Sequence, residues 1–340
     1  MRLPTVPEPI ERRASSKEAR LLIAAATLFC LSGIAALIYQ VTWQRILALH
    51  SGMGIYSVAM IVASFMAGLG IGSHLGGVVS TRKSPRAALR IFATLEIAVA
   101  GFGAISCPLF YDLLYLEASW LYTTSWRAGL FHFLALLPPT CLMGMSLPFL
   151  VQAMVRKVST AGRTIGYLYG LNVVGASIGA FITPWVLIRF LGVREAVMVA
   201  VGLNLLAGIG ALVISPMMPT RASRDEAAAA PRDEPETTLG PPFPTWLLLY
   251  ALSGFCALSL EIVWFRLVDV GVRGTAFTFG TVLSIYLFGL AAGSLMGAHF
   301  IQQLKRPLRT FLICQCVILL YSGVVLALLA WLPTDLPGYA

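Results

Sequence analysis

Acidic side chains are scarce in this chain. Its 340 residues hold 15 Asp and Glu against 24 Lys and Arg and four His, and charged residues make up only 11% of the total. A water-soluble domain carries about 25% charged residues, so a soluble globular fold is excluded. With 58% hydrophobic residues and a mean hydropathy of +0.83, the apolar side chains are too many for one aqueous core. Motifs of catalysis are also missing. The six cysteines, Cys30, Cys107, Cys141, Cys256, Cys314 and Cys316, lie in apolar runs without metal-ligand spacing, and read as small core residues. His74, His132 and His299 share no spacing that suggests a metal and read as polar packing residues. No Ser-His-Asp or Cys-His arrangement can be assembled, and no metal or cofactor is expected.

What is present is a succession of apolar runs of 18 residues or more, the mark of membrane-spanning helices. We place nine, at about 21–44, 55–79, 88–110, 129–154, 165–189, 195–215, 245–265, 275–300 and 308–331. Residues 1–20, rich in Pro and charge, read as a mobile cytoplasmic tail. The aromatic stretch 111–127 reads as an interfacial segment, because Asp112 and Glu117 interrupt it. Residues 216–244 change abruptly to Pro, Ala and charge and form a linker between two halves. The domains are therefore a six-helix bundle over 21–215, a partial bundle of three helices over 245–332, and a terminal segment 333–340.

The two halves share a duplicated stretch. Residues 31–77 align without a gap on 252–298, and 12 of the first 46 positions are identical. The identities include Trp43 with Trp264, Arg45 with Arg266, and Gly68, Gly72 and Gly76 with Gly289, Gly293 and Gly297. Spaced Gly, Trp and Arg do not recur this way through apolar composition alone. Glycines four apart share one helical face and let backbones approach closely. The Trp-x-Arg pairs read as interfacial anchors.

Basic residues follow a pattern of sidedness. The loops after helices two, four and eight hold ten basic residues, from Arg82 to Arg309, and no acid. The positive-inside rule then puts them, the amino terminus and the linker in the cytoplasm. It also accounts for the net charge of +9 without a nucleic-acid partner. The two halves have the same orientation, which makes the duplication a parallel repeat.

Four motifs in order carry a family resemblance: LSGxxAL with Trp-x-Arg, the glycine-rich second helix, PPTCLMGMSLPFL from Pro138, and GRTIGYLYGLNVVGASIGAFITPWVLIRFLG from Gly162. Together they resemble the membrane portion of the bacterial fused major-facilitator/spermidine-synthase proteins. The resemblance implies an all-α, major-facilitator-like fold in the bacterial inner membrane, with six helices plus an incomplete second half. It implies a transporter-like protein for a small organic cation such as a polyamine. A second reading is a membrane anchor or subunit of a soluble aminopropyltransferase-like partner, or the membrane part of a longer fused protein. No strand followed by a Gly-rich loop and an acidic ribose ligand is present, so no aminopropyltransferase domain is expected in the chain itself. Besides the bilayer, the expected partners are a second copy of the chain or that soluble enzyme; the substrate is not identified. The chain departs from the family pattern at Gln40, where an acid is usual and the second copy has Glu261, and at Thr81-Arg82 after helix two.

Four residues are candidates for substrate contact. Glu96 and Glu261 are acids within apolar spans, where a carboxylate is costly and so functional by default. Each is open to two readings, a site for a cation or proton and a hydrogen-bonded acid that assembles the bundle. Asn172, in a helix with Gly166, Gly170, Gly175 and Gly179, needs a partner from a neighbouring helix or a ligand. Gln40 completes the set as the counterpart of Glu261. Pro138, Pro139, Pro148 and Pro184 are expected to bend helices four and five. Fluorescent-protein fusions in the 216–244 linker are expected to fluoresce, and alkaline phosphatase fused there is expected to be inactive. The opposite pattern would reverse the topology.

Overall fold

The computed structural model describes residues 9–51, 55–117, 125–155, 158–219, 242–271 and 277–330. Residues 1–8, most of the linker, part of the 111–127 segment and the terminal 333–340 lie outside them. Among the described residues there is no strand. The helices are α1 (Pro9–Ser51), α2 (Ile55–Ser80), α3 (Pro85–Cys107), α4 (Ser125–Met154), α5 (Val158–Ile182), α6 (Val193–Ile214), α7 (Phe243–Gly271), α8 (Thr278–Phe300) and α9 (Pro307–Ala330). Each contains a stretch long and apolar enough to cross a membrane.

Two boundaries differ from expectation. α1 begins at Pro9, inside the stretch read as a mobile tail. Pro suits the first turn of a helix, and the Glu, Arg, Ala and Lys that follow are strong helix formers. The segment after α3 is not a separate interfacial element at its start, because α3 runs on as a π-helical extension over Pro108–Glu117. A second wide turn, Thr183–Ile188, extends α5. Each holds a proline, Pro108 or Pro184, in its first turn. Proline has no N–H to give and its ring crowds the carbonyl of the preceding turn, so a wider turn relieves both. α4, by contrast, carries Pro138, Pro139 and Pro148 within one continuous 30-residue helix.

The described residues fall into two compact units. One comprises Met1–Thr238 with Ser259–His299, the other Leu239–Leu258 with Phe300–Ala340. The division therefore does not follow the linker, since α8 and the end of α7 belong with the first six helices. α8 is tied to α5 by reciprocal bonds, in which Ser177 Oγ donates to Ser284 O at 2.8 Å and Ser284 Oγ to Ser177 O at 2.9 Å. In the smaller unit, Gln315 Nε2 of α9 donates to Ser253 Oγ of α7 at 2.9 Å, and Tyr250 stacks on Phe311.

Within the larger unit α2 packs along α4, α1 along α5 and α6, and α3 between α4 and α6. Glycine makes these approaches close. A Cβ on Gly68 would overlap the Thr140 side chain, one on Gly72 the Cys141 carbonyl, and one on Gly76 would stand 3.0 Å from Met145 Cα. Gly144 answers from α4 against Leu69. α5 presents Gly175 and Gly179 to the α1 backbone and Gly166 and Gly170 to α8. The second copy is different, because Cβ atoms on Gly289, Gly293 or Gly297 would meet nothing within 4 Å. Gly72→Leu is expected to lower stability by about 1–3 kcal/mol through overpacking, and Gly293→Leu to be nearly neutral. Unfolding of the purified variants in detergent checks both.

Candidate functional site

α3 enters the centre of the larger unit with Glu96 at 1% exposure. A carboxylate cannot be left bare in an apolar interior, and three neighbouring helices supply its partners. Ser32 of α1 donates to Glu96 Oε1 at 2.9 Å and Ser146 of α4 donates to the same oxygen at 3.0 Å. Asn204 of α6 donates through Nδ2 to Oε2. Four helices thus meet at one side chain.

The node is not closed. Asn204 Oδ1 is buried without a hydrogen-bond partner, and so is the Tyr39 hydroxyl. Tyr39 lies two turns along α1 from Ser32, against Gly103 of α3, where a Cβ would overlap its ring. The Asn204 amide can present either atom to Glu96, because its two ends exchange on a half-turn. Its N–H suits an ionised Glu96, and its carbonyl suits a protonated one. The cluster can therefore hold the acid in both states, each with a hydrogen bond to α6.

Trp43 needs a correction. Expected as an interfacial anchor, it is fully enclosed, with Nε1 donating to Ser106 Oγ at 2.9 Å. Its ring stacks on Tyr39 at 4.8 Å and meets Phe102 and Phe110 edge-on at 5.6 and 5.8 Å. The indole N–H is satisfied inside the bundle, so nothing draws this Trp to the headgroup level. Arg45, two residues on, is exposed. Trp264 is half-buried and Arg266 exposed on α7.

The other sequence candidates are not brought to the Glu96 node. Asn172 Nδ2 donates to Phe29 O at 2.8 Å and its own backbone lies against Gly33, so a neighbouring helix supplies its partner. Gln40 is buried on α1. Glu261 is half-buried on α7, with Tyr286 of α8 within electrostatic reach. His132 is buried on α4, while His74 and His299 are exposed on α2 and α8. Asn204, Ser32, Ser146 and Tyr39 are not among the sequence candidates. A signal existed for two of them: Asn204 is a lone amide in an apolar run, and Ser32 is one of the repeat identities.

Comparison with known proteins gives a limited result. A polyamine aminopropyltransferase of Corynebacterium efficiens is 25% identical over 205 residues, which is 58% of this chain and 36% of that protein. The chain thus spans about a third of the length of the curated relative it matches. No family model matches, and no solved structure matches. The chain is a distant relative of that protein, all-helical in its described residues, with helices suited to a membrane.

The node separates two substitutions of similar size. Glu96→Leu removes three interhelical hydrogen bonds and strands their donors, and should cost roughly 3 kcal/mol. Glu96→Gln keeps an acceptor for both serines and is rescued by a half-turn of Asn204, so it should cost under about 1 kcal/mol. Denaturant or SDS titration of the two variants reads the difference.

Proposed function

We propose that the chain is a multi-pass membrane protein that binds and moves a small organic cation of the polyamine class, with Glu96 as its cation-binding group. The observation that carries this reading is the open node: a buried carboxylate accompanied by an unpartnered carbonyl oxygen, Asn204 Oδ1, and an unpartnered hydroxyl, Tyr39. Both oxygens accept hydrogen bonds, and an ammonium group has only donors to give. An acid, an amide oxygen and a phenol oxygen are all acceptors, a set that favours R–NH3+ over anions. The name of the distant relative, a polyamine aminopropyltransferase, points to the same substrate class.

In this reading the larger unit carries the site, and the duplicated stretch is a major-facilitator-like parallel repeat within a bacterial inner membrane, with the amino terminus cytoplasmic. Protonation of Glu96 releases the cation, and the turned Asn204 amide keeps the neutral acid bonded. Glu261, Gln40 and Asn172 are secondary candidates for contact along the path. The relative's name also favours a second reading, in which the chain is the membrane portion or docking subunit of an aminopropyltransferase-like enzyme.

The test is uptake of radiolabelled spermidine into proteoliposomes holding the purified chain. Saturable uptake is expected, reduced at least tenfold by Glu96→Gln with folding retained. Uptake that is equal in the variant would remove Glu96 from the mechanism. No uptake, together with aminopropyl transfer activity that co-purifies with the chain, would favour the second reading.

A further inference from the structure

Away from the Glu96 node, three span ends gather charge around one cavity. The candidate spans Glu18–Ala48 and Pro85–Leu114 end there and Val193–Met217 begins there. The cavity has a volume of about 380 Å³ and is lined by Arg45, Asp112 and Arg194, with Ile46, Pro108 and Val193 among its apolar walls. Among the described residues no ion pair joins either arginine to an acid. α6 also starts at this wall, with Gly192 as its N-cap and Glu195 in its first turn.

These charges are of two kinds and sit at the depth where spans end. Two guanidiniums can clamp an oxyanion through paired N–H donors. A carboxylate on the opposite charge, Asp112, would repel a simple anion but would accept from an ammonium. The apolar walls suit the carbon chain joining the two groups. We propose that this cavity is a binding site for a small zwitterion, an oxyanion (phosphate or carboxylate) linked through a short carbon chain to a primary ammonium. Arg45 and Arg194 hold the oxyanion, and Asp112 holds the ammonium. Two sources carry this chemistry: the headgroup of an aminophospholipid such as phosphatidylethanolamine, and a free solute such as phosphoethanolamine. The site is independent of the cation site, since it shares no residue with the Glu96 node.

The experiment is isothermal titration of the purified full chain in an uncharged maltoside detergent. The probes are phosphoethanolamine, glycerol 3-phosphate, ethanolamine, and short-chain phosphatidylethanolamine and phosphatidylcholine. Saturable binding of at least one ethanolamine phosphate is expected, at least tenfold tighter than glycerol 3-phosphate, ethanolamine or the choline lipid. Binding of the free solute assigns the source to solutes, and binding of the lipid alone assigns it to the bilayer. Arg45→Gln and Arg194→Gln should each weaken binding at least tenfold. Asp112→Asn should abolish the preference for the zwitterion over glycerol 3-phosphate. Val193→Trp keeps every charge and fills the cavity, so it should also lose binding while retaining the wild-type melting temperature. Equal affinity for glycerol 3-phosphate and the zwitterions in the wild-type chain, binding unchanged in the arginine variants, or no binding of any probe would each overturn the proposal.

Discussion

A carboxylate in a water-free interior must find its hydrogen-bond donors within the protein, and the larger unit is arranged around that requirement at Glu96. Hydrocarbon gives helices little reason to associate, since lipid tails are as apolar as Leu. A polar side chain that needs donors from α1, α4 and α6 supplies both a reason and a register. Ser32, Ser146 and Asn204 can reach the acid only if the four helices are set at the correct depth and rotation. The smaller unit contains a quieter version of the same device. Ser253 of α7 also meets a polar side chain from another helix, but there the residue is the neutral Gln315 of α9. The larger unit thus has a carboxyl group at its node and the smaller unit an amide.

Glycine performs the complementary task. Along α2 and α4 and along α1 and α5, missing side chains let backbones touch carbonyls directly, and the short distances give dispersion contacts that lipid cannot match. The aromatic cluster on Trp43 packs α1 against α3 and its π-helical extension. The Tyr39 hydroxyl and Asn204 Oδ1 are buried in this interior without a hydrogen-bond partner.

Much of this was legible in the residues. Hydropathy located the nine long apolar segments, and a carboxylate in the middle of one of them singled out Glu96 before any geometry was known. Three-dimensional partners were another matter. Nothing in local spacing tells that Ser32, Ser146 and Asn204 converge, because those contacts span 50 to 108 residues of chain. The enclosure of Trp43 is hidden from the sequence for a related reason. A Trp near a span end is placed at the headgroups by frequency, and only the position of Ser106 on α3 shows that its N–H is already satisfied indoors. The tail of α1 was read from its prolines and charges, although from Pro9 onward its helix-forming residues outweigh them.

The wide turn over Pro108–Glu117 has a further consequence for how this chain tolerates change. A π-turn takes about one residue more than an α-turn, and each residue of an α-helix turns the following side chains by about 100°. The ten-residue π-helical run therefore sets the angular phase of the side chains along it, Asp112 included. Lineages that lost a single codon here would swing the Asp112 carboxylate round the helix by about 100°, away from the cavity that Arg45 and Arg194 line. Chain length at this turn, more than residue identity, is what keeps the three charges around one cavity.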